Sequence, residues 1–488
     1  MNLTDIWDRT RLALGDVAAA AGDLVEPTLR LGVTGLSGAG KTVFITALIR
    51  NLTAGGRMPL FDPVAEGRLT NAYLRPQPDD RVPRFDYERH LASLLEEPRA
   101  WPDSTKKISQ LRICLEYEPE GFWGRRLRRG RLNIDIVDYP GEWLLDLPLI
   151  GWSYADWSAR TIAASRAGPR AELAADWHRL LAALDATGAE DEAAARRAAD
   201  AFRAYLLACR GARFSLSALP PGRFLIPGEL EGSPALTFAP LDLPAARSAP
   251  RGSLWAMMAR RYESYKSAVV KPFFRDHFAR LDRQIVLVDA LAALNAGPTA
   301  LADLETALTD ILACFRPGAG SWLTSILSRR IDRILFAATK ADHLHRESHE
   351  RLEAILGRLA LHAIARAEFA GAHVEVAAIA AIRATREATA QRGGETLPCI
   401  VGTPMAGERL AGRRFDGEEE IAVFPGELPE DPDAALAHGR DAPDPDEADW
   451  RFIRFRPPLP ARGAGGEPVF PHIRLDRALN LLVGDKLS

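Results

Sequence analysis

A glycine-rich octapeptide early in the chain carries the residue types that bind phosphate. It reads Gly35-Leu-Ser-Gly-Ala-Gly-Lys-Thr42 and follows a short apolar run at residues 31–34. The next segment, Val43–Leu52, has apolar residues at helical spacing. Glycines let successive backbone N–H groups converge on an anion, and the N-terminus of a helix adds its positive dipole. The pattern therefore predicts a strand, a P-loop and a helix that hold the phosphates of a nucleotide.

Two side chains of this loop have separate predicted roles. We expect Lys41 to reach the β- and γ-phosphates and the Thr42 hydroxyl to bind Mg²⁺. Only seven of the 62 basic residues are lysines, so a lysine at a motif position suggests a need for a slim ammonium group. The residues predicted to contact the nucleotide phosphates are Gly35, Ser37, Gly38, Ala39, Gly40, Lys41, Thr42 and Val43.

A second motif lies at the end of the apolar segment 331–339. It reads Thr339-Lys-Ala-Asp342. Ligands bind at the carboxyl ends of strands in open α/β sheets. The Asp342 carboxylate could accept hydrogen bonds from the N1–H and the exocyclic amine of guanine, which adenine does not offer, while the Lys340 stem packs across the base. The motif therefore favours guanine over adenine.

A third motif, Asp138-Tyr-Pro-Gly141, follows the apolar segment 132–137. An aspartate that ends a strand beside the P-loop strand is placed to hold Mg²⁺ through a water molecule. The N–H of Gly141 could donate to a γ-phosphate and so distinguish a nucleoside triphosphate from a diphosphate. Apolar segments 111–117 and 132–137 are predicted to pair as a hairpin.

The three motifs, in this order, resemble those of GTP-binding proteins of the P-loop class. The sequences of four segments are also similar to those of the YcjX-like family of bacterial proteins. These segments are LRLGVTGLSGAGKTVFITALI, WPDST at 101–105, DYPGEWLLDLPLI at 138–150, and the ending LDRALNLLVGDKL. The resemblance runs along the whole chain. It implies a cytoplasmic GTP-binding protein with a stress-linked role. Together with the motifs, we expect GTP or GDP and Mg²⁺ as ligands and an unidentified protein partner or activator.

The resemblance assigns further residues. Thr105 becomes the switch I residue that binds Mg²⁺ when GTP is present. Ser104 could take this role instead, and the structural alternative is a hydroxyl that caps the segment that follows. Ala380 and Ala381 follow the apolar segment 373–379 and occupy the place of a guanine-contacting loop. The predicted metal ligands are Thr42, Thr105 and Asp138.

Glu142 departs from the pattern of small GTPases, many of which carry a glutamine that orients the attacking water. A carboxylate could accept hydrogen bonds from that water, but its charge would repel the γ-phosphate. We therefore expect slow hydrolysis unless an arginine, in cis or from a partner, neutralises the charge. A structural ion pair is the alternative role. The predicted catalytic residues are Lys41, Thr105, Gly141 and Glu142.

The 488 residues exceed one ordinary domain. We predict the α/β fold of P-loop NTPases, with a mostly parallel sheet and helices on both faces. The predicted parts are an N-terminal helix at 1–28, a GTPase-like domain at 29–150 and 284–395, a mainly helical insertion at 151–283, and a β-rich addition with an acidic loop and a closing helix at 396–488.

Composition is typical of a soluble globular protein, with 26% charged residues and a net charge of -3. This balance gives no reason to expect DNA binding. The four cysteines are widely spaced and contain no Cys-x-x-Cys pair, which argues against a zinc site or a disulfide scaffold and fits a reducing cytosol. No apolar run of about 18 residues and no secretion signal is evident, so we expect a cytoplasmic protein.

Two segments are compatible with a further contact, to a membrane or to RNA. Residues 3–21 form an amphipathic pattern that either touches a membrane or packs on its own domain. The arginine- and aromatic-rich stretch 121–131 either meets lipid headgroups or RNA or is a solvated hairpin tip.

Three functions are compatible with the sequence. We favour a GTP-hydrolysing switch. An ATP-using kinase or ATPase would need the P-loop and Asp138 but would leave Asp342 without a task. A scaffold that holds nucleotide without turnover would agree with Glu142.

Overall fold

The computed structural model describes residues 26–36, 38–104, 107–120, 130–211, 216, 220–243, 248–313, 331–392, 394–410, 412–437, 450 and 452–488. Ser37, Thr105, the N-terminal segment 1–25 and the arginine-rich residues 121–129 lie outside these ranges. The predictions made for those positions therefore stay predictions.

A seven-stranded sheet forms the centre of the molecule, in the order β2-β3-β4-β1-β5-β6-β7. Its strands are β1 Thr28–Gly35, β2 Leu69–Arg75, β3 Ser109–Tyr117, β4 Gly130–Asp138, β5 Arg283–Val288, β6 Arg333–Ala338 and β7 His373–Ala378. Strands β4, β1, β5, β6 and β7 run parallel, whereas β3 is antiparallel to both β4 and β2. The predicted β3–β4 hairpin is confirmed. Strand β2 was not predicted, because much of it is polar and exposed at the sheet edge.

The strands bury both of their faces. Alternate residues of β5 show this, since Ile285 and Leu287 belong to one apolar core whereas Val286 and Val288 belong to the other. Burial on both faces is what parallel sheets require, and it explains the continuous apolar runs that marked these strands in the sequence.

Helices cover each face. The helices that connect strands β1 to β3 and β5 to β7 along the chain are α1 Lys41–Thr53, α2 Asp62–Ala65, α3 Tyr87–Leu95, α11 Ala290–Ala296, α12 Pro298–Ala313, α13 His349–Leu359 and α14 Leu361–Phe369. Helix α1 begins at Lys41, two residues before the predicted start, and buries Phe44, Ile45 and Leu48 against the sheet. The predicted fold class, a mostly parallel α/β sheet of the P-loop type with helices on both faces, is confirmed.

The segment between β4 and β5 is mainly helical. It begins with a 3₁₀ helix, Gly141–Gly151, and contains α4 Tyr154–Ser165, α5 Pro169–Leu173, α6 Ala175–Ala182, α7 Glu192–Cys209, α8 Gly222–Leu225, α9 Leu254–Tyr265 and α10 Lys271–Asp276. Helix α8 is followed by two short 3₁₀ turns, Gly228–Leu230 and Pro234–Leu236. Buried aromatic residues such as Trp157, Trp177 and Tyr262 share one apolar core with the β5 and β6 face of the sheet. The insertion is therefore packed on the central sheet rather than built around a separate core.

The C-terminal region adds small sheets and two helices. Its elements are β8 Arg386–Arg392, β9 Glu395–Gly402, β10 Arg409–Leu410, β11 Arg413–Arg414, β12 Ile421–Val423, α15 Pro432–Ala437, β13 Ala461–Arg462, β14 Pro468–Val469 and α16 Leu475–Val483. The β-rich part thus starts at Arg386. Farther along, Phe455 forms an isolated bridge with Pro404, and the N–H of Arg454 donates to the Glu408 side chain.

The predicted closing helix is present as α16 and packs against the main sheet. Leu475, Leu479 and Leu482 lie in the same apolar core as Leu31 and Ile285. The end of the chain therefore helps to hold the strand that leads into the P-loop. Within the described ranges, no helix is both long enough and apolar enough to cross a membrane.

Candidate nucleotide-binding site

The P-loop connects β1 to α1, as predicted. Gly38 and Gly40 both have a φ of 83°, a left-handed conformation that glycine adopts without strain. A Cβ built on either residue would meet no heavy atom within 4 Å, so both face open space. The turn is closed by a hydrogen bond from the N–H of Ala39 to the carbonyl of Leu36, 3.1 Å long. The loop has the backbone shape that lets N–H groups surround a phosphate.

Lys41 and Thr42 are the first residues of α1, and both are buried. The Lys41 ammonium donates a hydrogen bond of 2.6 Å to the carbonyl of Gly35, so it lies across the loop. The Thr42 hydroxyl donates a longer bond of 3.4 Å to the carbonyl of Asp103. Asp103 belongs to the segment 101–105, which contains Thr105, the residue that the family resemblance assigns to switch I. This contact brings the described part of that segment to the start of α1.

Asp138 is the last residue of β4 and is 1% exposed. It pairs in the parallel register with Val33 of β1, two residues before the P-loop begins. A hydroxyl and a carboxylate at one sheet edge are hard oxygen ligands of the kind that suits Mg²⁺, which usually takes one or two protein ligands together with substrate phosphates. Thr42 and Asp138 fit that donor set. Among the described residues there is no cluster of three or more metal-binding side chains.

Gly141 lies directly against the P-loop. A Cβ built on it would come within 2.5 Å of the Gly35 carbonyl oxygen and 3.0 Å of the Leu36 nitrogen, so no side chain fits. The neighbouring Tyr139 is fully buried, accepts a hydrogen bond of 2.9 Å from Gln284, and has a pKa raised well above its ordinary range by burial. The turn after β4 thus packs directly against the backbone of Gly35 and Leu36, the first two residues of the P-loop.

Glu142 points toward the insertion. Its side chain is 3% exposed, and Oε1 lies 3.0 Å from Nη2 of Arg210, which follows the last turn of α7. The structural ion pair that the sequence left open is therefore present. Sequence analysis did not single out Arg210, because it is one of many arginines in an alanine- and arginine-rich helix and carries no motif signal.

Asp146 forms a second buried contact of the same segment with the insertion. Its Oδ1 accepts a bond of 2.6 Å from the N–H of Gly222, and its Oδ2 accepts one of 2.5 Å from the Tyr265 hydroxyl. Burial raises the pKa of Asp146 to about 6, against the opposing effect of these hydrogen bonds and the Arg223 charge. A carboxyl group with these partners would not be found from sequence, since its partners lie more than 70 residues away.

Lys340 and Asp342 stand at the end of β6. Lys340 has a φ of 62°, and its ammonium pairs with Oδ2 of Asp289 at the end of β5. Asp342 is 4% exposed, and its Oδ2 accepts a bond of 2.8 Å from the N–H of Ala384. The Thr385 hydroxyl donates to the Asp342 carbonyl. Asp289 was missed, although it ends an apolar strand in the same way as Asp138.

Ala380 and Ala381 follow β7. Ala380 is buried and exchanges two backbone hydrogen bonds with Ile473, 3.0 and 2.8 Å long. Ala384 and Thr385 form hydrogen bonds with Asp342. The guanine contact expected of Ala380 and Ala381 stays a prediction.

A P-loop after β1, an aspartate after β4 and a Lys-x-Asp motif after β6 occupy the carboxyl edge of one sheet. This arrangement on a mostly parallel sheet defines an α/β protein of the P-loop, GTPase-like class. A family model described as the YcjX-like family, DUF463, matches residues 29–487. The chain belongs to this family.

Two relatives match nearly the full length. The Ras-like GTPase YcjX of Escherichia coli (strain K12) is 37% identical over 478 residues, covering 95% of this chain and 97% of the relative. The protein of the same name from Shewanella oneidensis is 37% identical over 484 residues, covering 94% of this chain and 95% of the relative.

Proposed function

We propose that the protein is a Mg²⁺-dependent GTPase with slow intrinsic hydrolysis that acts as a nucleotide-controlled switch. The observation that carries this proposal is the contact of Gly141 with the Gly35 carbonyl. It supports the proposal because the turn after β4 lies against the first residues of the P-loop, where its N–H groups could reach a terminal phosphate. The printed names of the two relatives support the same function.

In this proposal the P-loop backbone and Lys41 bind the phosphates. Thr42 and Asp138 would hold Mg²⁺, which when bound neutralises charge on the β- and γ-phosphates. Thr105 would add its hydroxyl or carbonyl from switch I, and Asp103 at the Thr42 hydroxyl supports that segment's approach. The N–H of Gly141 would donate to the γ-phosphate and respond to its loss.

Guanine is the proposed base. The N–H of Ala384 holds one carboxylate oxygen of Asp342. An ionised carboxylate accepts on both oxygens, so it can still accept from guanine, whereas adenine offers an acceptor at the N1 position. The Lys340–Asp289 ion pair supports the lysine stem beside the base.

Slow turnover is proposed because Arg210 engages the Glu142 carboxylate, so this group is not placed as a free base for water. The same pairing neutralises the charge repulsion by which Glu142 alone was expected to slow hydrolysis. The same pair favours a second candidate function, a scaffold that binds GTP without hydrolysing it. A cytoplasmic location and a protein partner that accelerates turnover are part of the proposal. So is a stress-linked role, which depends on the family resemblance alone.

The test is a titration of the purified protein with fluorescent GTP and ATP analogues in Mg²⁺, together with measurement of phosphate release. Lys41→Ala should abolish binding, and Asp342→Asn should remove the preference for guanine. Lys486→Ala and Asp433→Asn are matched controls, because both side chains are exposed and distant in sequence from the motifs.

The outcomes separate the candidate functions. Guanine-selective binding with phosphate release above background supports the GTPase, and binding without release supports the scaffold. A preference for ATP that Asp342→Asn leaves unchanged would favour a kinase or ATPase. Absence of nucleotide binding would refute all three.

A further inference from the structure

The insertion contacts the segment after Gly141 through several buried groups. Besides the Glu142–Arg210 pair, the indole N–H of Trp143 donates a bond of 3.1 Å to the Ile226 carbonyl. The Arg223 guanidinium lies 3.2 Å from the centre of the Trp143 ring. These contacts hold residues 142 and 143 to α7 and α8, outside the nucleotide-binding elements.

The backbone of Glu142 is held as closely as its side chain. A Cβ built on Gly222 would lie 1.7 Å from the Glu142 carbonyl oxygen, so the two backbones touch. The Gly222 N–H also donates to Asp146. The backbone of residues 141 and 142 is therefore held on one side by the P-loop and on the other by Gly222, and the Glu142 carboxylate is held by Arg210.

The charge of this carboxylate matters because it is buried. Its side chain is 3% exposed and that of Arg210 is 22% exposed, so water screens the pair poorly. Arg210 caps the C-terminus of α7, where the helix dipole favours a cation and helps to keep the guanidinium in place. An unbalanced charge at residue 142 would act directly on a γ-phosphate bound beside Gly141.

We propose that Arg210 is a positioning residue for GTP: by holding and neutralising Glu142, the helical insertion sets the charge that the γ-phosphate meets. This inference rests on the proposed function. It predicts that the net charge of the pair, rather than the presence of either side chain, controls discrimination between GTP and GDP. The pair is neutral in the native chain, negative in Arg210→Ala, positive in Glu142→Gln, and neutral again when both are replaced.

The experiment measures the ratio of GTP to GDP affinity and the single-turnover rate of GTP hydrolysis for the full chain and its variants. Arg210→Ala should lower the affinity ratio about tenfold, Glu142→Gln should raise it, and the double variant should return close to the native ratio. Arg210→Lys should retain most of the native ratio. Arg210→Ala should also lower the hydrolysis rate about tenfold, because the unbalanced Glu142 charge then repels the γ-phosphate.

Arg260→Ala is the matched control, since Arg260 is an exposed arginine of the same insertion that pairs with Glu190. A merely structural role for Arg210 would lower the melting temperature but would not move the affinity ratio in opposite directions in the two single variants. The inference is overturned if the native chain binds GTP but Arg210→Ala and Glu142→Gln both keep the ratio of Arg260→Ala. If Arg210→Ala does not fold, Arg210→Lys and Glu142→Gln test the same charge dependence. Failure of the native chain to bind GTP would instead refute the proposed function, and this inference with it.

Discussion

The Cα of Gly222 lies so close to the carbonyl oxygen of Glu142 that a Cβ placed on it would be 1.7 Å away. Gly222 is the first residue of α8 in the insertion, and Glu142 follows the glycine that touches the P-loop. Gly222 has no left-handed φ, so this close approach alone requires glycine. Any movement of residue 142 must therefore be shared by α8 or break this contact.

Gly222→Ala should destabilise the protein. The added methyl group meets a backbone carbonyl rather than a flexible side chain, so α8 or the 3₁₀ segment must shift. We expect the free energy of unfolding to fall by about 3 kcal/mol, at the upper end of the usual cost of overpacking. Chemical denaturation followed by circular dichroism measures this.

Gly357→Ala is the control for that experiment. Gly357 lies in α13, and a Cβ there would meet no heavy atom within 4 Å. Alanine in a helix should be neutral or stabilise by about 0.5–1 kcal/mol. Equal effects of the two substitutions would show that the Gly222 contact is not tight.

Gly141→Ala should weaken binding of GTP more than binding of GDP. The methyl group would press on the Gly35 carbonyl at 2.5 Å and push the turn after β4 away from the P-loop. Only GTP offers a phosphate at the proposed Gly141 position. We therefore expect the affinity for GTP to fall about tenfold, which corresponds to the loss of one hydrogen bond to a charged group. Titration with fluorescent GTP and GDP analogues tests this.

Gly151→Ala provides the comparison, because Gly151 ends the same 3₁₀ segment and a Cβ there would meet nothing within 4 Å. It should bind both nucleotides as the native chain does. An equal loss of GTP and GDP affinity in Gly141→Ala would remove Gly141 from the role of γ-phosphate sensor.

Much of the fold could be predicted because its signals are local. Buried parallel strands are continuous apolar runs, and Gly38 and Gly40 adopt the positive φ that their spacing implies. Polar residues at strand ends, such as Asp138 and Asp342, were found because each follows such a run. The edge strand β2 was missed since its exposed face is polar and breaks the apolar pattern.

The contacts between the insertion and the site could not be predicted for the opposite reason. Arg210 lies 68 positions after Glu142 in the chain, and arginine is the commonest basic residue of the sequence. Gly222 is one of 38 glycines, and only the fold shows that the backbone of Glu142 lies against it. Such partners are determined by packing rather than by spacing.

Asp342→Asn should change the preferred base from guanine to xanthine. The N–H of Ala384 donates to one side-chain oxygen of residue 342, so an asparagine there would turn its amide oxygen toward Ala384 and its NH₂ group outward. An outward donor suits the C2 carbonyl of xanthine and opposes the C2 amine of guanine. We expect GTP affinity to fall about tenfold and XTP affinity to rise, because one hydrogen bond to the base is lost in the first case and gained in the second.

Competition of GTP and XTP against a fluorescent analogue measures this exchange. Asp433→Asn, an exposed aspartate that pairs with Arg358, should leave the preference for GTP unchanged. A variant that loses GTP without gaining XTP would indicate that the amide is turned the other way or that Asp342 does not face the base.

Asp146→Asn should remove a pH dependence from stability. Burial raises the pKa of Asp146 from its ordinary 3.8 to about 6, so the folded state favours the protonated acid. The resulting stabilisation is complete below about pH 3.8 and is lost as the pH rises through about 6. The ionised carboxylate therefore costs on the order of 3 kcal/mol of folding free energy at neutral pH relative to the protonated acid.

The measurement is the free energy of unfolding of the native chain and of Asp146→Asn at several pH values from 4.5 to 8, about two pH units around the folded pKa. Asparagine can still accept from the Gly222 N–H but carries no charge, so the native chain should lose stability relative to the variant as the pH rises. Asp242→Asn is the control, since Asp242 is exposed and pairs only at the surface with Arg166. A constant difference between Asp146→Asn and the native chain across this range would mean that Asp146 does not change protonation state there.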